Sequence, residues 1–129
     1  MSLVLDAGAI SALAEGDARA RHVLRVAQGR HEPVLTPTAV VAEVTTGEGP
    51  RDARTNQVLS SLVLIPVSER LARRAGALRY QARCPGTVDA LVVATAEAAL
   101  GGVVLTADPK DLRALAGVSR GVEVETFKR

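Results

Sequence analysis

Leu3-Val4-Leu5-Asp6 opens the chain with a short apolar run that ends on an aspartate, and Val103-Val104-Leu105-Thr106-Ala107-Asp108 has the same arrangement near the other end. Short apolar runs of this kind are typical of strands that are buried in a parallel sheet. The carboxyl ends of parallel strands meet at one edge of the sheet, where ligands bind in open α/β folds. The two stretches therefore predict an α/β fold with two aspartates at one edge of its sheet.

Two further acidic residues lie at comparable places between these ends. Glu43 follows Val40-Val41-Ala42, and Asp89 stands in Thr87-Val88-Asp89-Ala90 at the mouth of a predicted helix. Acidic groups that gather in one crevice repel each other unless a cation is present. Mg²⁺ and Mn²⁺ favour oxygen ligands of this kind. The four acids together predict a divalent-metal phosphodiesterase.

Each acid also has a purely structural interpretation. Asp6 and Asp108 could cap the helices that follow them, Asp108 with Asp111 as its partner in a capping box. Asp89 would interact favourably with a helix dipole. Glu43 is predicted in mid-helix beside a packed face, where a glutamate is seldom buried unless it is paired or coordinating. These interpretations explain the residues one at a time but do not explain their expected convergence.

Composition sets the class of protein. The 129 residues form a chain the size of one ordinary domain, and we predict a single domain over 1–129. Cys84 is the sole cysteine, so neither a disulfide nor a cysteine-based zinc site can form within the chain. No apolar run reaches the roughly 20 residues that span a bilayer, and the first residues lack a signal-peptide pattern. We expect no membrane association and a cytoplasmic location.

The charge and the scarcity of aromatic residues limit how a nucleic acid could be held. The net charge is +2 with a pI of about 9.2, and Tyr80 and Phe127 are the only aromatic residues. A platform of stacked rings is therefore excluded, and contacts to phosphates would have to dominate. Arg70, Arg73 and Arg74 flank one predicted helix as a solvated face or as a phosphate-binding ridge.

Strands alternate with helices along the whole chain, which predicts a mostly parallel sheet covered on both faces. Thr36 and Thr87 are predicted to cap helices, residues 47–50 to form a loop, and Pro66 to mark an edge strand. The predicted strands are 3–5, 33–35, 62–67, 103–105 and 122–127, and the predicted helices are 9–15, 17–28, 36–46, 51–61, 68–83, 87–100 and 109–115.

The residues that other classes of nucleotide-binding, signalling or catalytic domain require are missing from the sequence. No Gly-rich phosphate loop ending in Lys-Ser/Thr and no Gly-x-Gly-x-x-Gly follows the first strand. A phosphorelay receiver domain would need an aspartate after the middle strand, where Ser68 stands. His22 and His31 have no serine or cysteine elbow nearby, and we interpret both as solvated.

The segments Val4–Leu13, Thr87–Ala96 and Leu105–Leu112, together with the helix that carries Glu43, resemble the PIN-domain nucleases. In particular they resemble the small single-domain toxins of the VapC type, in the same order and at the same spacing over essentially the whole chain. The resemblance implies an α/β/α sandwich around a parallel sheet and a Mg²⁺- or Mn²⁺-dependent ribonuclease activity. It also implies a homodimer and a small antitoxin protein that blocks the enzyme.

Carried over by position, the resemblance assigns roles to individual residues. Asp6, Glu43, Asp89 and Asp108 would be the acidic tetrad. Asp6, Asp89 and Asp108 would hold the metal, and Glu43 would complete its shell or orient the attacking water. Thr106 would be a supporting hydroxyl, with Ser11 and Asp111 as further supporting residues. Many members of the family carry Ser, Thr or Asn after the first aspartate, where this chain has Ala7-Gly8, so we expect a modest metal affinity.

The sequence also allows an alternative function and predicts a binding groove. A non-catalytic RNA- or protein-binding module on the same fold is the alternative function, and it predicts no dependence on metal. The helices between Asp17 and Ser61 carry more apolar residues than one buried stripe needs. The loop at residues 47–50 lets the two later helices open into a groove for an amphipathic antitoxin helix, whose basic tail would enter the acidic crevice.

Overall fold

A parallel sheet of five strands with seven helices makes up residues 1–128, the part of the chain that the computed structural model describes. The strand order is β3-β2-β1-β4-β5, and every pairing is parallel. In chain order the elements are β1 (Ser2–Leu5), α1 (Ala7–Glu15), α2 (Ala18–Gly29), β2 (Val34–Pro37), α3 (Thr38–Val44), α4 (Gly49–Leu59), β3 (Val63–Ile65), α5 (Glu69–Ala82), α6 (Thr87–Ala98), β4 (Gly102–Thr106), α7 (Pro109–Gly117) and β5 (Val122–Thr126).

The central strand β1 fixes the position of the first aspartate. It pairs with β2 through Leu3 and Val34, and with β4 through Leu5 and Leu105. All four residues of β1 are buried, as the apolar run predicts. Because the strands run in one direction, the residues that follow β1 and β4 meet at the same edge of the sheet. The predicted three-layer α/β/α fold is confirmed, and the sheet is parallel throughout the described residues.

The helices form two layers around this sheet. Helices α1 to α4 pack on one another in one layer, and α5, α6 and α7 pack together in the other. Helix α6 lies against β1, β2, β4 and β5, and its residues 90–96 are all buried. The strongly apolar sequence of α6 follows from this position. Within residues 1–128, none of the helices combines the length and the apolar character that crossing a bilayer requires.

Three predicted helix starts are wrong, one because of a tertiary hydrogen bond and two because of a shift of one or two residues. Thr36 lies in β2 and donates its hydroxyl to the carbonyl of Leu5 at 2.8 Å, so Pro37 occupies the cap position instead. Thr87 is the first residue of α6, whose cap position is Gly86. The predicted 47–50 loop is shorter than expected because α4 begins at Gly49 with a proline in its first turn.

The third helix is also shorter than predicted. It ends at Val44, so Glu43 lies in its last turn and not in mid-helix. Its side chain is exposed, which removes the argument that a packed face surrounds its carboxylate. Asp17 and Ser68 cap α2 and α5, because both side chains accept hydrogen bonds from the first turns of these helices.

Candidate active site

Four acidic side chains line one cavity of about 220 Å³ at the carboxyl edge of the sheet. Asp6 follows β1 directly, Asp108 comes two residues after β4, and Asp89 lies in the first turn of α6. Glu43 reaches the cavity from the last turn of α3. Residues separated by as many as 102 positions in the chain therefore meet in one place. The remaining lining residues are Ala7, Gly8, Val88, Val92, Thr106 and Ala107.

Asp6 is the most buried of the four acids, with 9% of its surface exposed. One carboxylate oxygen, Oδ1, accepts a hydrogen bond from the backbone N–H of Ala9 at 2.8 Å, and Oδ2 accepts one from the hydroxyl of Thr106. Burial raises the pKa of Asp6, and the charge of Asp108 raises it further, while the two hydrogen bonds oppose the shift. Asp6 thus caps α1 and also faces the cavity, so the two interpretations from the sequence are compatible.

Thr106 connects the first aspartate to the last. Its side chain is fully buried, and its hydroxyl donates to Asp6 while it accepts the backbone N–H of Asp108 at 3.0 Å. This geometry fixes the Asp6 carboxylate relative to the loop that carries Asp108. A supporting hydroxyl was predicted at this position, and the structure places it between the two acids.

Asp89 is where the repulsion between the acids is concentrated. Burial raises its pKa most, followed by the charges of Asp6, Asp111, Glu43 and Asp108. Gly86 lies directly beside it: a Cβ at this position would stand 3.1 Å from Oδ2 of Asp89. Sequence reasoning missed Gly86, although a Pro-Gly pair just before an acidic helix start was a visible signal.

Two of the predicted supporting residues lie outside the cavity. Asp111 is close enough for its charge to raise the pKa of Asp89, but it does not line the cavity wall. Ser11 is exposed on α1 and does not line it either. The side chain of Asp108 makes no capping hydrogen bond to α7, so the capping-box interpretation is wrong and its carboxylate is available to the cavity.

The three arginines predicted as a phosphate-binding ridge lie elsewhere. Arg73 pairs with Glu69 at 2.8 Å on the surface, and Arg74 forms a two-point pair with Glu97 at 2.6 and 3.0 Å. Glu97 lies eight residues beyond Asp89, about 12 Å along the axis of α6. Arg70 lines a separate cleft with Arg74 and Glu97. None of the three lines the acidic cavity, and the Arg74–Glu97 pair was not foreseen from the sequence.

The chemistry of the donor set fits a hydrated divalent cation. The charged side chains that line the cavity are all carboxylates, and within residues 1–128 none of them has a Lys or Arg partner at salt-bridge distance. In the same residues no group of three or more His, Cys, Asp or Glu side chains stands so that it could hold a metal ion directly. Mg²⁺ usually keeps several waters and takes one or two carboxylates directly. The all-carboxylate lining therefore suits Mg²⁺ or Mn²⁺ held partly through water.

Solved structures share this fold over almost their full length. VapBC2 from Rickettsia felis, solved bound to a DNA fragment from its promoter, gives a TM-score of 0.79 at 16% sequence identity, with 98% of each chain covered. A toxin–antitoxin complex from Klebsiella pneumoniae gives 0.72 at 26% identity, covering 94% of this chain and 95% of that one. FitAcB from Neisseria gonorrhoeae gives 0.73 at 19% identity, with 97% of each chain covered.

Sequence comparison gives the family. No curated protein matches the chain significantly. The sequence profile of the PIN domain, in contrast, matches residues 3–118, which include all four acids of the cavity. The fold, the order of the acidic residues and this match agree, and the chain belongs to the PIN domain family.

Proposed function

We propose that the protein is a divalent-metal-dependent endoribonuclease that acts as the toxin of a type II toxin–antitoxin pair. The observation that carries this proposal is the convergence of four carboxylates on one cavity that no cationic side chain of the described residues neutralises. Structures solved as toxin–antitoxin complexes, one of them 26% identical in sequence, support the toxin assignment. Family membership supports nuclease chemistry.

Each acid has a separate task in this proposal. Asp6, Asp89 and Asp108 would hold Mg²⁺ or Mn²⁺, with Asp6 kept in place by Thr106. A bound divalent cation neutralises charge on the scissile phosphate and lowers the pKa of water. Glu43 is exposed at the cavity wall, where its carboxylate can accept a hydrogen bond from the attacking water or complete the metal shell. Attack by water does not use the RNA 2′-hydroxyl, so the products would carry 5′-phosphate and 3′-hydroxyl ends.

A cleavage assay tests the proposal. A mixed-sequence single-stranded RNA is incubated with the wild-type protein in Mn²⁺, in Mg²⁺ and in EDTA, and the product ends are identified. We expect cleavage only with metal, and at least a 100-fold loss in Asp108→Asn. Glu123→Gln on β5 makes a comparable change at an exposed carboxylate that does not line this cavity, and it should retain full activity. RNA binding without metal-dependent cleavage would instead support the alternative of a non-catalytic binding module.

A second cleft suits the antitoxin part of the proposal. It measures about 550 Å³ and lies between α1, α2 and α4, with Leu13, Leu24 and Val58 among its walls. The sequence predicted a groove between the two helices that flank residues 47–50, whereas this cleft is formed by α1, α2 and α4, and no residue of α3 lines it. An amphipathic helix could lie in this cleft by its apolar face. The cleft shares no lining residue with the acidic cavity, so a basic tail would have to extend beyond the cleft to reach the carboxylates.

The partner test first asks whether a short protein is encoded next to this gene, and such a protein is then used as the partner. In co-purification, Leu24→Glu should abolish its capture, since a charge would enter an apolar wall. An Arg→Ala change in the basic tail of the partner should restore cleavage while capture persists. Loss of capture with that tail variant would contradict neutralisation by the tail. The predicted homodimer belongs to the same proposal and is checked by light scattering of the protein alone.

A further inference from the structure

A basic cleft with an exposed tyrosine lies beside the acidic cavity. It measures about 840 Å³ and is lined by the end of α5 and the turn that leads to α6. Arg79, Tyr80 and Arg83 supply its polar walls together with Gln81, and no carboxylate lines it. Tyr80 is one of only two aromatic residues in the chain, and it is 89% exposed. An exposed ring between two arginines has no role in the packing of this domain.

The two arginines of this cleft keep their charge available. The ion pairs within residues 1–128 are Arg73–Glu69 and Arg74–Glu97, so Arg79 and Arg83 have no carboxylate partner there. The Nε of Arg79 is covered and has no hydrogen-bond acceptor within that range. This contrasts with the neutralised arginines at the other end of α5. The cleft is therefore a local positive site on a helix whose other basic residues are largely compensated.

The position of the cleft connects it to the cavity of acids. Pro85 lines the cleft and Val88 lines the acidic cavity, with only two residues between them. A Cβ at Gly86 would stand 3.1 Å from Oδ2 of Asp89, so the turn itself touches the acid. The Cα atoms of Pro85 and Asp89 are at most about 14 Å apart, because an extended chain covers about 3.6 Å per residue. A few nucleotides of a single strand are enough to cover this distance.

We propose that Arg79, Tyr80 and Arg83 form a nucleotide-binding subsite for single-stranded RNA next to the bond that is cleaved. Tyr80 stacks on one base, and the arginines contact the neighbouring phosphates. A single ring suffices for one base, in contrast to the platform that the composition excludes. The proposal rests on the ribonuclease function proposed above and adds to it the place where the strand leaves the acidic cavity. Charge complementarity and the absence of acids in this cleft favour a nucleic acid over a protein partner.

The composition of the chain offers a direct probe. Tyr80 is the only tyrosine and the chain has no tryptophan, so the intrinsic tyrosine fluorescence reports on this cleft alone. The intact protein in EDTA, where cleavage is prevented, is titrated with a 12-nucleotide oligouridylate, and N-acetyltyrosinamide corrects for light absorbed by the RNA. We expect saturable quenching that coincides with binding followed by anisotropy of a labelled oligonucleotide.

Variants separate a stacking contact from a structural role. Tyr80→Ala should weaken binding roughly 5- to 100-fold, the range for loss of one base–aromatic contact, while Tyr80→Phe should keep most of the affinity. Arg79→Gln and Arg83→Gln should each lower the magnitude of the log–log salt slope by about 0.7, the value for one phosphate on a single strand. Arg25→Gln makes the same charge change at an exposed position that lines none of these cavities, and it should bind as wild type does.

The outcomes distinguish this inference from the proposed function. Wild-type protein that neither binds nor cleaves RNA would overturn both. Cleavage with equal affinity in wild type and Tyr80→Ala, or binding without tyrosine quenching, would overturn the subsite alone. A change of oligomeric state in Tyr80→Ala, seen by light scattering, would show instead that the cleft is an interface between two copies of the chain.

Discussion

Asp89 concentrates the electrostatic repulsion of the cavity, since burial and four neighbouring carboxylates raise its pKa. The native state therefore holds the proton more tightly than the unfolded chain, and the ionised side chain opposes folding at pH values above both pKa values. Asp89→Asn removes this opposition. The metal-free variant should have a higher Tm than wild type at pH 7, measured by calorimetry in EDTA.

The pH dependence of that difference is a second part of the same test. As the pH falls through the raised pKa of the folded state, wild type gains the stabilising proton and the advantage of Asp89→Asn should shrink. A constant difference between pH 7 and pH 4 would mean that the variant acts through packing. A Tm below that of wild type at pH 7 would show that the carboxylate stabilises the start of α6.

Gly86 is a second single residue that affects the site, because it leaves room for the carboxylate of Asp89. Its backbone is extended and would accept alanine, but the added Cβ would stand 3.1 Å from the carboxylate. Gly86→Ala should displace Asp89 and weaken Mn²⁺ binding by about tenfold, the lower end for changes next to a metal ligand. Gly76→Ala on α5, where nothing lies within 4 Å of the added Cβ, is the matched control. Equal affinity of the two variants for Mn²⁺ would show that Gly86 does not affect the metal site.

Much of the site could be predicted at the level of single residues. Positions after an apolar run or at the mouth of a helix pointed to the four acids, while Thr106 was identified through the resemblance to the family. The exposure of Glu43 and the role of Gly86 could not be predicted. Both depend on the exact residue at which a helix starts or ends. Sequence patterns locate a helix end only to within one or two residues, because a hydroxyl residue or a proline before a helix is compatible with several cap positions.

At the scale of elements, Asp52 fixes the connection between α3 and α4. Its carboxylate accepts the N–H and the hydroxyl of Thr46 and the N–H of Gly47, all at 2.8–3.0 Å. The hydrogen bonds from Thr46 lower the pKa of Asp52. Thr46, which Asp52 holds, lies three residues after Glu43 and two after the end of the helix that carries this acid.

Replacement of Asp52 should therefore destabilise the connection between α3 and α4. Asp52→Ala leaves three donors without their acceptor and should lower the Tm by several degrees at pH 7, whereas Asp52→Asn keeps one acceptor oxygen and should lose less. Because the folded pKa is lowered, the stabilisation exists above the unfolded pKa and disappears as the pH falls through the folded one. The Tm difference between wild type and Asp52→Ala should thus close in acid. A difference that persists at low pH would show that the charge of Asp52 is irrelevant.

Element order was predictable, but two capping residues were assigned wrongly. Thr36 precedes a proline, a typical start of a helix, yet its hydroxyl finds its acceptor at Leu5, 31 residues away in the neighbouring strand. Thr87 was predicted to cap α6, but Gly86 occupies the cap position. A tertiary hydrogen bond and a one-residue shift of a turn are invisible to local sequence patterns. Strand identity survived these errors because β1 and β4 are buried over most of their length.

The whole molecule gathers four acids from distant parts of the chain at one edge of its parallel sheet. The ends of β1 and β4 bring Asp6 and Asp108 together there, and helices α3 and α6 carry Glu43 and Asp89 to the same edge. The clefts on the helical layers were harder to foresee, because each is formed by packing between elements. The contribution of α1 to the cleft with α2 and α4, and the pairing of Arg74 with Glu97, are examples.

The central claim is that the four carboxylates form one site for a divalent cation, and a Mn²⁺ titration tests it most directly. Free Mn²⁺ is measured by electron paramagnetic resonance in solutions of wild type, Asp89→Asn, Asp108→Asn and the control Glu123→Gln, and the Tm is recorded in parallel. Binding to the native state alone should stabilise it by about 2.7 kcal/mol at 100 times Kd. We predict saturable binding and this stabilisation in wild type and Glu123→Gln, and their loss in both cavity variants. Equal Mn²⁺ binding in all four proteins would contradict the account.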